Sequence, residues 1–134
     1  MVFSKSELIS ALQHEVRILM GPTLVEVAQT GVFDPARWTV AEKQAARLDV
    51  DGTVAAIAAL HDTYTRVLGD LSDDDYRTVV TVWDIPTTRG AFIVAYVLCV
   101  HAAYRTQLFG YLKSCGRTEI GTSNLWDGVD PRPA

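Results

Sequence analysis

Three imidazoles, His14, His61 and His101, are the side chains of this 134-residue chain best suited to ligating a metal or moving a proton. Each falls on a different stretch of helical periodicity, so a shared site requires three helices to converge. His14 lies nearly opposite the stripe Leu8, Leu12, Val16 and Leu19, which turns it toward solvent. His61 shares a face with Ile57, Tyr64 and Leu68, the setting of a hydrogen-bonded core histidine. His101 sits in CVHAAYRTQLFGYL, residues 99–112, with Val97 and Arg105 one turn away where a one-helix metal pair needs a histidine or carboxylate. A metal reading from these residues alone needs His14, His61 and His101 to converge, and with His14 turned outward it is not the expected one.

The remaining chemistry-bearing clusters have simpler explanations. Asp73, Asp74 and Asp75 occupy the first turn of a helix, where capping and the positive end of the helix dipole account for three carboxylates. Asp49-Val50-Asp51-Gly52 resembles part of a calcium loop, but Arg47 and Ala58 stand at its first and twelfth ligand positions. Cys99 and Cys115 lie on one helix, about 24 Å apart at 1.5 Å per residue, beyond disulfide reach. Neither has an activating histidine one turn away, and both are expected as reduced core or boundary thiols. No glycine-rich phosphate loop and no nucleophile elbow occurs.

These residues must be positioned by helices, and their starts are clearly marked. Ser4-Lys5-Ser6-Glu7, Thr39-Val40-Ala41-Glu42 and Ser72-Asp73-Asp74-Asp75 each set a hydroxyl three residues before a carboxylate, the pattern of a reciprocal cap. Gly21-Pro22 should kink or break the first helical stretch, which resumes to about Thr30 and ends at Gly31. Asp34-Pro35 predicts one turn over 35–38 before a short helix after Thr39. Further helices are expected over 53–69, 73–80 and 88–115, the last closed by Gly116, with a loop at 84–87. The β-prone TVVTVW of 78–83 is short and isolated, so no strand is expected. Residues 117–134 read as an extended tail packed on the 1–116 bundle and anchored by Trp126.

Composition narrows the function class. A net charge of −4 gives no basic footprint for nucleic acid. The longest apolar run, residues 91–100, is half the length of a membrane span, and the N-terminus lacks a signal-peptide pattern, so a cytoplasmic chain is the expectation. With 49% apolar residues, one domain can build a continuous core.

The segments SKSELISALQHEVRIL, GPTLVEVAQTGVFDPARW and TTRGAFIVAYVLCVHAAYRTQLFGYLKSCG, with NLWDGVD following, resemble the DinB/YfiT-like superfamily, in particular small bacterial members of undefined function. The resemblance covers most of the chain and implies an all-α four-helix bundle, often dimeric. In metal-binding members the last helix gives two histidines four residues apart and the second helix a third, for hydrolase or thiol-transferase chemistry. Those last-helix positions are Val100 and Tyr104 here, while Arg105, Gln107 and Leu108 keep the family pattern. His101 is out of phase by one residue, about 100° around a helix.

About thirty residues of the family pattern also have no counterpart between Leu19 and Gly21. The first two helices would then fuse into one kinked rod, leaving a truncated bundle that a homodimer completes, by exchange of the N-terminal helix. The expected function is a non-catalytic binding or interaction module with no cofactor and a small ligand among its helices. The alternative is a divergent metal-dependent hydrolase or thiol transferase using His61, His101 and Tyr104.

Overall fold

A computed structural model describes residues 19–129. His14, the cap at Ser4, the stripe Leu8, Leu12 and Val16, and the last residues of the tail lie outside them. The described residues form six helices and one two-stranded hairpin, in accord with a mainly helical chain.

Leu19 and Met20 make a 3-10 turn, and helix α1 (Gly21–Thr30) starts directly after it. Pro22 falls in the first turn, where its missing N–H costs nothing. Gly31 ends the helix in the left-handed region at φ 73°, its N–H returning to the Val27 carbonyl. Helix α2 (Pro35–Ala45) is one continuous element, which corrects the expected break at Thr39. The Asp34 carboxylate already accepts from the amides of Ala36 and Arg37, so the cap lies one turn earlier and the Thr39 hydroxyl donates to the Pro35 carbonyl instead.

Helix α3 (Val50–Gly69) is capped by Asp49, whose carboxylate accepts from the Gly52 amide. That contact explains the aspartate that imitated a calcium loop. Helix α4 (Asp73–Arg77) carries the full reciprocal cap: Ser72 Oγ accepts from the Asp75 amide, and the Asp75 carboxylate accepts from the Ser72 amide. Hydrogen bonds from Ser72, aided by the Arg89 guanidinium, hold the Asp75 carboxyl below its usual pKa.

The β-prone segment does form a strand. Strand β1 (Val79–Val82) pairs antiparallel with β2 (Ile85–Thr88), replacing the expected helix end and loop. Isolation along the sequence did not matter, because the partner is the next four residues. With Val82 opposite Ile85 across a two-residue turn, Thr81 and Pro86 form a pair that exchanges no backbone hydrogen bonds, so the missing Pro86 N–H leaves no gap in the ladder. The turn residues Trp83 and Asp84 both have positive φ, 52° and 62°, as the favoured hairpin twist requires. For tryptophan this is a strained conformation, costing about 1–3 kcal/mol. Ring contacts with Phe33, Phe92 and Tyr96, at centroid distances of 5.3–5.8 Å, offset that strain.

Helix α5 (Arg89–Ser114) is the long final rod, interrupted by a π-helical turn over Val94–Leu98 in which the Cys99 amide reaches the Val94 carbonyl five residues back. It ends as expected: Gly116 has φ 97°, its N–H bonds to the Lys113 carbonyl, and that of Arg117 bonds to Leu112. A last short helix, α6 (Thr122–Trp126), breaks up the expected extended tail. Trp126 is 69% exposed and does not anchor it; Ile120 is buried instead, and Arg105 Nη1 donates to the Trp126 carbonyl. Being nearer the end of α5, Ile120 is buried with less chain to order.

The core is built on α1. Leu24, Val25, Val27 and Ala28 pack with Val82 of the hairpin and with Phe92, Ile93 and Val97 of α5. Arg89, only 14% exposed, ties these parts together. Its Nε donates to the Ala28 carbonyl at 3.2 Å, and its Nη1 to the Asp75 carbonyl at 3.1 Å. One largely buried guanidinium thus bonds to carbonyls at the ends of α1 and α4 while sitting at the start of α5.

Candidate functional site

Two half-buried polar side chains meet where α1 starts between α3 and α5. Tyr64 Oη lies 2.8 Å from His101 Nε2, and the two rings stand edge to face at 89°, centroids 5.6 Å apart. Gly21, the first residue of α1, is buried against them: a methyl there would overlap the Tyr64 hydroxyl and lie 3.1 Å from His101 Nε2. The absence of a side chain at residue 21 is what lets the pair close.

Partial burial sets the charge state of both groups. Desolvation pushes the Tyr64 phenol up to about 12 and holds the His101 imidazole below its usual value. Both are therefore neutral at pH 7, and the contact is an ordinary hydrogen bond rather than an ion pair. Nε2 either accepts from the phenol or donates to it; in each case the nitrogen that faces the interior is occupied.

The π-helical turn explains why His101 faces inward. A turn closed over five residues takes up one extra residue, so everything beyond Leu98 is rotated back by roughly 100° relative to a regular helix. His101 thereby takes the orientation that residue 100 would have in an unbroken rod. The same shift gives Arg105 the orientation of residue 104, so the residue one turn beyond His101 on that side is an exposed arginine and not a second ligand; Val100 is aliphatic, Tyr104 is half-buried, and Gln107 is exposed.

The other sequence candidates are not gathered here. His61 is exposed, which corrects its assignment to the core. The buried edge of α3 runs through Ala56, Leu60, Tyr64 and Val67, so the apolar face lies on the other side of Tyr64 from Ile57 and His61. Cys99 and Cys115 are likewise exposed rather than buried. Among the described residues no group of three or more histidine, cysteine or carboxylate side chains could hold a metal ion.

Away from the pair, a cleft of about 290 Å³ separates α1 from α2. Val27 and Val32 give it an apolar side, and the Glu26–Arg37 ion pair a polar one. The adjoining hollow along α2, about 390 Å³, is lined by Val40, Ala41 and Gln44. Neither hollow is lined by Tyr64 or His101, so these two hollows and the tyrosine–histidine contact are separate features.

Sequence reasoning missed both Tyr64 as the partner of His101 and Gly21 as the space that admits it. The signal available was a tyrosine and a histidine on the inward faces of two long helices, but 37 residues separate them and nothing local pairs them. No family model, curated protein or solved structure matches the chain.

Proposed function

We propose that this chain is a DinB-like helical bundle acting as a binding or interaction module without the metal triad of the catalytic members. The observation that carries this reading is the engagement of His101 Nε2 by Tyr64. His101 is the inward imidazole of the described residues, and a metal would have to take its nitrogen from a bond that is already made. With Val100 and Tyr104 at the family's ligand positions, no second imidazole stands one turn away. A small ligand has its best opening in the cleft between α1 and α2, where Glu26 and Arg37 offer both charges beside an apolar wall.

Metal analysis of protein purified without a histidine tag tests this directly. The expected result is no stoichiometric zinc, nickel or manganese, and no change on His101→Ala. Stoichiometric metal that disappears in His101→Ala would instead make the chain a metal-dependent hydrolase or thiol transferase.

A further inference from the structure

Four aromatic rings run in an unbroken row past the hairpin turn. Trp38 lies 5.7 Å from Phe33, Phe33 5.8 Å from Trp83, and Trp83 5.3 Å from Tyr96, centroid to centroid. Phe92 touches both Trp83 and Tyr96 and is itself 1% exposed, so the interior is closed beneath them. Trp83 nevertheless stays 47% and Tyr96 40% exposed. Glycine or asparagine makes such a turn without strain, yet a tryptophan is held there at φ 52° with half its surface in solvent. Among the described residues, nothing accepts a hydrogen bond from the Trp83 indole N–H or from the Tyr96 hydroxyl. Half-exposed rings with an unused donor are the residue types on which protein interfaces are anchored.

We propose that this row docks an extended, proline-rich segment of a partner protein that carries arginine or lysine. This rests on the reading of the chain as an interaction module and names what the module takes. Shape selects a linear ligand: the row is up to about 17 Å long, the length of five or six residues in the polyproline II conformation. An added β-strand needs a free backbone edge, which rings at a turn do not offer. A polyproline II segment bonds none of its own carbonyls, so these can accept from the indole N–H and the phenol while proline rings lie on the aromatic faces. Charge selects a basic sequence. Asp34 follows Phe33 and Asp84 follows Trp83, and both are exposed, so two carboxylates border the row. The basic residues nearest to them along the chain are engaged elsewhere, Arg37 with Glu26 and Arg89 with the Ala28 and Asp75 carbonyls. A neutral sugar would leave both carboxylates unpaired, and a net charge of −4 opposes a phosphorylated ligand.

Calorimetric titration of the full chain with an acetylated peptide of sequence Pro-Pro-Arg-Pro-Pro-Arg-Pro-Pro provides the test. Saturable binding is expected. The same peptide with glycine for every proline keeps the charge and should not saturate; with glutamate for arginine it should bind more weakly. Trp83→Phe keeps the ring stack and removes the N–H, and should weaken binding about fivefold. Tyr96→Phe gives a comparable loss through the phenol and stands in if Trp83→Phe does not fold. Asp84→Asn suits the positive φ, and should weaken binding about twofold in dilute salt and not at all near 1 M. No saturation by the proline-arginine peptide overturns the proposal, as does equal binding of the glycine peptide or affinity unchanged in both Trp83→Phe and Tyr96→Phe. Binding that appears only when Pro131 and Pro133 are both replaced by glycine assigns the row to the chain's own terminus, and saturation by maltohexaose instead of peptide assigns it to carbohydrate; either overturns the partner named here. Bound metal would defeat the proposed function yet leave this titration unaffected.

Discussion

Gly21 allows the contact between Tyr64 and His101 to be broken by a single methyl group. Gly21→Ala should cost about 1–3 kcal/mol, because the phenol must leave its hydrogen bond or α1 must shift out of the core. Urea denaturation measures the loss, and in a Tyr64→Phe background, without the hydroxyl to collide with, the same substitution should cost much less. Protonation reads the pair in a second way. Because burial lowers the His101 pKa, the unfolded chain binds its proton first; stability is full above the ordinary imidazole value of about 6.5 and falls as pH drops through the folded value. The Tyr64 shift has the opposite sign, so its contribution persists through neutral pH and fades as pH rises through about 12. His101→Gln keeps a polar partner for the phenol but cannot titrate. Its stability should therefore stay level between about pH 7 and 5, where the parent chain loses some.

At the scale of elements, local chemistry was legible and pairing was not. Asp34, Asp49 and Ser72 cap helices within three residues of themselves, and Gly31 and Gly116 end helices through bonds to the preceding turn. Such contacts can be read from neighbours in sequence. The hairpin could not, since the burial of Val82 and the rings that hold Trp83 come from α1, α5 and the loop at Phe33. The π-helical turn left no mark either, because a run of Val, Ala, Tyr and Leu suits α and π hydrogen bonding alike. The hairpin also carries a prediction. Asp84 occupies the second turn position with φ 62°, where glycine is the favoured residue. Asp84→Gly should raise stability by up to about 1 kcal/mol, seen as a melting temperature higher by a few degrees. Trp83→Gly relieves similar strain but loses three ring contacts, and should melt lower.

At the scale of the molecule, the sequence pointed to a helical chain and to its longest rod, and it placed an imidazole on that rod. It did not show which way the imidazole faces, because that depends on one extra residue in a turn and on a tyrosine from α3. Helix α1 becomes the centre of the core, with Arg89 joining it to α4 and α5, while α3 and α5 keep exposed apolar residues such as Val54, Val94 and Leu98. The central claim is that the inward imidazole is neutral and bonded to a phenol rather than held ready for an ion. Nitrogen-15 spectra of the His101 ring, recorded through a pH titration with and without one equivalent of zinc, test it most directly. The expected result is an imidazole that titrates below its ordinary value, ignores zinc, and shifts at Nε2 in Tyr64→Phe. An Nε2 resonance that moves to a metal-bound position on adding zinc, and stays where it was in Tyr64→Phe, would contradict the account.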